Sequence, residues 1–261
     1  MNTEKAAKFP AGSQLRVLDL NYGAVRSVKA GAFSTLRQLA FVGLCDNRLS
    51  QKALDELVSE LPLGVAELLV GGNDLGEVKE RQFSRLANLE TLDLHRNALV
   101  SLPACAFCGL DELSAIYLQG NEFRRVPSAA LQSTKRLRLL NLSHNPLCRI
   151  DAVDFAGLRR MQSLLLLGCC APNVTIDDNP ASCMPNLTSV HISTGKFPLS
   201  PAGSATTECE AAEHYATSCD DGGGTVGGVT GGAGSGPRDT AGAKSAVLVV
   251  LLTFARVVYS T

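Results

Sequence analysis

The chain has 261 residues, 45% of them hydrophobic and 19% charged, which places it among folded proteins and excludes a disordered one. Twenty-four Lys and Arg stand against 25 Asp and Glu, a formal net charge of −1, and this balance argues against a nucleic-acid binder with its usual basic excess. Trp is absent and aromatics make up 5%, so any core must come from Leu, Val and Ile.

Residues 1–14 (MNTEKAAKFPAGSQ) are polar and contain no apolar run. A secretory signal needs ~7–15 consecutive apolar residues, so read literally this end predicts a cytosolic chain. From residue 15 an internal repeat takes over and runs to about residue 200. Its frame has eleven residues, with apolar residues at positions 1, 4, 6 and 11 and Asn at position 9. Copies begin at residues 15, 39, 65, 89, 113, 137, 161 and 187, spaced by 24 or 26 residues. Position 9 is Asn47, Asn73, Asn97, Asn121 and Asn145 in five copies, with Gly23, Cys169 and Gly195 in the weaker three. A further row, 18 residues after each start, holds Phe33, Leu57, Phe83, Phe107, Leu131 and Phe155.

Positions 3 to 7 alternate outward and inward, the pattern of a short strand. No single coil can hide its apolar residues, so neighbouring coils must stack. Asn at position 9 stands where the chain leaves the strand. A buried amide both donates and accepts, so this row is expected to serve turn groups that have no strand partner and to be structural. Cys169 is expected to replace it as a buried thiol. The stretch QKALDELVSELP from residue 51 has Ala53, Leu54, Leu57, Val58 and Leu61 at helical spacing and predicts a short outer helix, with looser turns in the other coils.

Copies such as LETLDLHRNAL and LRLLNLSHNPL resemble the leucine-rich repeat family, and the 24-residue length with SLPACAFCGL-type outer segments is similar to its extracellular subclass. The resemblance covers residues 15–200 and implies an α/β solenoid, a horseshoe of about eight repeats with a parallel β-sheet on the concave side. In layout (repeats, cysteine-rich end, flexible stalk, tail) the chain resembles the variable lymphocyte receptors of jawless vertebrates. It lacks both cap signatures of that group: the spacing of the C-terminal cysteines does not match the usual cap, and at the N-terminus no cysteine precedes Cys45, so the disulfide cap there is missing. The Leu15 strand is therefore expected to be an open edge with half its core exposed, and further sequence is expected upstream.

Positions 3, 5 and 7, with position 8 at the edge, should face out of the sheet. Near the middle they supply Phe41, Glu67, Asp93, His95, Arg96, Tyr117 and Gln119, a mixture of aromatic, charged and amide groups suited to recognition. Asp93, His95, Arg96 and Tyr117 lie on adjacent repeats and form the centre of the expected ligand-binding face. The Met161 copy is unusually apolar there, with Leu165 and Leu167.

No catalytic motif is present where a strand would position it, so an enzyme is not expected, and no cofactor is called for. His95, His144 and His191 are two repeats apart, about 10 Å per step at ~4.8 Å per strand, too far to share a metal. Cys105-Ala-Phe-Cys108 lacks a second pair, so no metal site is expected and the two read as ordinary outer-turn cysteines.

Residues 201–220 form a cysteine-containing segment. Cys169, Cys170, Cys183, Cys209 and Cys219 crowd this end of the array, which favours an oxidising compartment without fixing pairs. Residues 221–245 hold 10 of the 24 glycines and read as a flexible stalk. Residues 246–261 begin with AVLVVLLTFA, too short to span a bilayer and better matched to a lipid-anchor signal with attachment near Gly234 or Ser235. Of three sequons, Asn173 and Asn186 are candidate glycosylation sites, whereas Asn141 falls inside the repeat pattern at position 5. The expected protein is a membrane-anchored, non-enzymatic surface receptor binding an extracellular protein or a microbial surface component, and no nucleic acid. The alternative is a cytosolic repeat scaffold binding an intracellular partner.

Overall fold

A computed structural model describes residues 9–10, 12–168, 170–177, 184 and 186–192. Its main element is an eight-stranded parallel sheet. In chain order the strands are β1 (Val17–Asp19), β2 (Phe41–Gly43), β3 (Glu67–Leu69), β4 (Thr91–Asp93), β5 (Ala115–Tyr117), β6 (Leu139–Asn141), β8 (Ser163–Leu166) and β10 (Ser189–Ile192). Every strand opens at position 3 of the repeat frame. The pairing register follows the repeat spacing without slippage: Val17 faces Phe41, Phe41 faces Glu67, Glu67 faces Thr91 and Thr91 faces Ala115.

The strands are short because the chain must turn after the apolar residue at position 6. Position 4 (Leu18, Val42, Leu68, Leu92, Ile116, Leu140, Leu164) is buried throughout, while the flanking residues look outward. The core is one continuous cluster running through the stacked coils. The outer row of Phe33, Leu57, Phe83, Phe107, Leu131 and Phe155 closes its far side, each at most 2% exposed. Between strands β2 and β3 lies helix α1 (Gln51–Glu60). Its N-cap Ser50 accepts from the Ala53 amide, and Ala53, Leu54, Leu57 and Val58 face the core.

Three differences from the sequence reading stand out. A second, four-residue helix α2 (Ser128–Leu131) and a two-stranded parallel sheet of β7 (Leu147–Asp151) with β9 (Cys170–Asp177) occur where only loose turns were expected. In α2, Ala130 and Leu131 are buried, so packing of one apolar pair stabilises a turn that propensity alone would not. Cys105 and Cys108, read as ordinary outer-turn cysteines, form a disulfide within that turn, with Phe107 buried between them. The first coil does not expose half its core: Leu15, Leu18, Val25 and Val28 are 4–9% exposed, and Phe9 packs against the cluster.

Asn47, Asn73, Asn97, Asn121 and Asn145 form a buried file. The Asn121 carboxamide oxygen accepts from the amides of Asn97 and Leu99, both at 3.0 Å, while its Nδ2 donates to the carbonyls of Leu94 and Leu118. Asn97 likewise accepts from Asn73 and donates to Val70 and His95. Each amide thus ties the exit turn of one coil to the coil before it. Cys169, in the same row, lies outside the described residues.

One residue before this file, the backbone is left-handed in seven successive coils: Tyr22 (φ 58°), Asp46 (51°), Gly72 (63°), Arg96 (50°), Gly120 (70°), His144 (57°) and Gly168 (62°). Glycine takes this conformation freely, and other residues pay about 1–2 kcal/mol for it. Four coils place a side chain there despite that cost.

Candidate functional site

The seven residues expected on the concave face all lie on the strands or at their exits. Phe41 and Glu67 are register partners in the position-3 row, and Asp93 and Tyr117 are partners in the position-5 row. His95 and Gln119 occupy position 7 of the same two coils as Asp93 and Tyr117, and Arg96 follows at position 8. Glu67 and Arg96 are exposed, whereas Phe41, Asp93, His95, Tyr117 and Gln119 are half-buried. The Oε1 of Gln119 is buried and meets no hydrogen-bond partner among the described residues.

The structure joins only some of these groups directly. Asp93 Oδ1 accepts from the His95 backbone amide at 2.9 Å and stands 2.8 Å from the His95 Nδ1. That contact favours the protonated imidazole and raises the His95 pKa above its ordinary value, against the opposing effect of burial. Arg96 reaches back across a whole coil, its guanidinium 3.7 Å from Asp46. Among the described residues no side-chain hydrogen bond or ion pair joins Phe41 or Glu67 to this group.

The reason for the long reach is an empty rung. Coil three carries Gly71 and Gly72 at positions 7 and 8, and side chains from both sides occupy the space they leave. A Cβ on Gly71 would lie 1.9 Å from His95 Nδ1, and one on Gly72 would lie 2.4 Å from the Asp46 carboxylate. His95 and Arg96 of coil four thereby approach Cys45 and Asp46 of coil two. The Cys45 thiol lies 3.9 Å from Asp93 Oδ2. Burial, and then the negative charge of Asp93, push this thiol up to about 12. Cys45, Asp93 and His95 each offer one ligand atom, all within 4.8 Å of one another.

Cys45 and the two glycines are what the sequence reading left out of the site. The histidines themselves stand two coils apart, too far to share an ion, whereas Cys45 meets His95 and Asp93 across a single coil. The pair Gly71-Gly72 was the available signal, since a coil without side chains at its exit lets its neighbours meet across it.

Elsewhere on this face Leu165 is half-buried and Leu167 is 38% exposed. Asn141 is half-buried, and its side chain accepts from the Ser143 amide. Of the candidate glycosylation sites, Asn186 is exposed at a turn, where its Nδ2 donates to the Arg159 carbonyl. Asn173 belongs to β9, and its side chain lies outside the described residues, as do Gly234, Ser235 and the apolar tail. Among the described residues no helix is long and apolar enough to cross a membrane.

Residues 64–123 and 111–169 match the profile of the family described as Leucine rich repeat. The chain is 31% identical over 121 residues to keratocan of Gallus gallus, covering 45% of this chain and 33% of that protein. It is 32% identical over 116 residues to nephrocan of Mus musculus, covering 44% and 22% respectively. It thus spans a third or less of the length of these curated relatives. Among solved structures, internalin C2 of Listeria monocytogenes superposes with a TM-score of 0.53 at 23% identity, over 69% of this chain and 74% of the other, which bears on the fold alone.

Proposed function

The chain belongs to the leucine-rich repeat family, and on that premise we propose that it is a non-enzymatic extracellular recognition protein whose concave face binds another protein or a microbial surface component. The observation that carries this reading is the state of the groups around Tyr117. Gln119 keeps a buried acceptor without a partner, Tyr117 is half-exposed beside it, and Arg96 projects from a strained backbone. A buried, unmet acceptor costs roughly 1–3 kcal/mol, and a left-handed Arg adds about 1 kcal/mol more. Folding gains nothing from either, whereas a ligand carboxylate could pair with the exposed Arg96 guanidinium and a ligand donor could meet Gln119 Oε1 once that side chain turns outward. Left-handed side chains recur at this turn in other coils, and the Gln51 amide at the start of helix α1 is also unmet, but at Arg96 and Gln119 the two features coincide on the concave face, as they do at binding surfaces.

An oxidising compartment is supported by the Cys105–Cys108 disulfide, because such bonds persist outside the reducing cytosol. Surface attachment through the apolar tail, at Gly234 or Ser235, and glycans at Asn173 and Asn186 complete the proposal.

The compartment is tested by expressing the chain behind a supplied secretory leader and treating intact cells with a phosphatidylinositol-specific phospholipase. Release of an endoglycosidase-sensitive protein supports the proposal. An unglycosylated protein that stays inside the cell, with Cys105 and Cys108 reduced, contradicts it.

A further inference from the structure

The geometry points to a binding site on the concave face for one divalent cation of the zinc class, held by Cys45 Sγ, a carboxylate oxygen of Asp93 and a ring nitrogen of His95. The three donors come from coils two and four and meet across the side-chain-free exit of coil three. Their ligand atoms all lie within 4.8 Å of one another. A tetrahedral ion with ligand bonds of ~2.0–2.3 Å needs donors about 3.3–3.8 Å apart. Sulfur to Asp93 Oδ2 is already 3.9 Å. The tight 2.8 Å contact between His95 and Asp93 would open by about half an ångström as the ion takes its place.

The donor set selects the ion. Calcium and magnesium take oxygen ligands, whereas one thiolate, one imidazole and one carboxylate suit a borderline-soft ion. Surrounding charge favours a cation, since Asp46 and Asp19 also act on Cys45, and Arg96 is the one positive group felt by His95 among those that shift it. Cys45 is 8% exposed and closes the site from below. The side chains of His95 and Asp93 are 18% and 14% exposed, which leaves the fourth position on the concave side. Gly71 is the enabling residue, because the three nearest atoms to a Cβ there all belong to the His95 ring. The site also accounts for a cysteine standing unpaired at a strand-exit position where its neighbours are Asn21 and Gly71.

Binding of an ion by the isolated chain requires no partner, so its failure would leave the proposed recognition role untouched. The test titrates the full chain, stripped with a chelator, with cobalt(II) as a spectroscopic stand-in for zinc. The expected result is a thiolate-to-cobalt charge-transfer band that zinc abolishes, lost in Cys45→Ser and retained in Cys148→Ser. Gly71→Ala removes no donor but displaces the imidazole. It should weaken binding about tenfold or more, with an unchanged circular dichroism spectrum. A wild-type band that survives in Cys45→Ser, the absence of any such band, or Gly71→Ala binding as tightly as wild type would each overturn the site.

Discussion

Replacing Asn121 by Ala should destabilise the protein far more than its small change in volume suggests. The side chain is 4% exposed, and its oxygen satisfies two backbone amides, those of Asn97 and Leu99. Its Nδ2 serves the Leu94 carbonyl and shares the Leu118 carbonyl with Asn145. Leu118 therefore keeps a partner in the variant, whereas two amides and one carbonyl lose theirs. Each buried orphan costs roughly 1–3 kcal/mol, and some relaxation reduces the sum, so a loss of about 3 kcal/mol is expected. For a domain of this size that corresponds to a fall in Tm of roughly 6–12 °C. Asn88 is the control: it is exposed, and its Nδ2 donates to a single carbonyl, that of Leu63. Asn88→Ala should cost under about 0.5 kcal/mol. Urea unfolding of both variants, followed by far-UV circular dichroism, gives the comparison. Equal midpoints for Asn121→Ala and Asn88→Ala would refute the view that the amide file holds adjoining coils together.

Phe107→Ala should cost about 3–5 kcal/mol, since the ring is fully buried in the outer row; a loss below ~1 kcal/mol in the same urea assay would mean the coils do not share a close-packed core. Arg96→Gly relieves a left-handed backbone at φ 50° and gives up only an exposed 3.7 Å ion pair, so it should be as stable as wild type or more so by up to about 1 kcal/mol. A clear fall in its melting temperature would show that Arg96 is there for folding. In chelator-treated protein the NMR titration midpoint of His95 should lie above 6.5 and drop in Asp93→Asn. Because the folded pKa is raised, the pair's contribution to stability is complete below about pH 6.5 and fades as pH climbs through the folded value. The stability gap between wild type and Asp93→Asn should therefore narrow on going from pH 5 to pH 8, and a gap that widens would be evidence against the pairing.

The solenoid was legible because its determinants repeat. Leu92, Ile116 and Leu140 occupy the same place in successive coils, so the spacing of sequence fixes the pairing register directly, as Thr91 facing Ala115 shows. The Asn row was legible for the same reason, and α1 because its apolar residues keep helical spacing. What escaped was whatever depends on the absence of a side chain or on contacts outside the frame. Gly71 and Gly72 carry no pattern of their own, yet they decide how far His95 and Arg96 can lean. The pairing of β7 with β9 and the short helix α2 rest on packing between outer segments, which the eleven-residue frame does not describe. The disulfide in the outer turn escaped because CxxC spacing also suits metal ligation and free thiols.

The recognition role is tested most directly by mapping where a ligand touches. Secreted protein would be screened against immobilised extracellular proteins and microbial cell-wall preparations, and the affinity of any ligand found would be measured for Tyr117→Ala, Arg96→Glu and Glu80→Lys. Glu80 is exposed on the outer segment between Val78 and Phe83, away from the sheet. The account predicts that Tyr117→Ala and Arg96→Glu each weaken binding by about tenfold or more, as central aromatic and Arg contacts do, while Glu80→Lys binds like wild type. Binding that survives both concave substitutions and falls only with Glu80→Lys would contradict it.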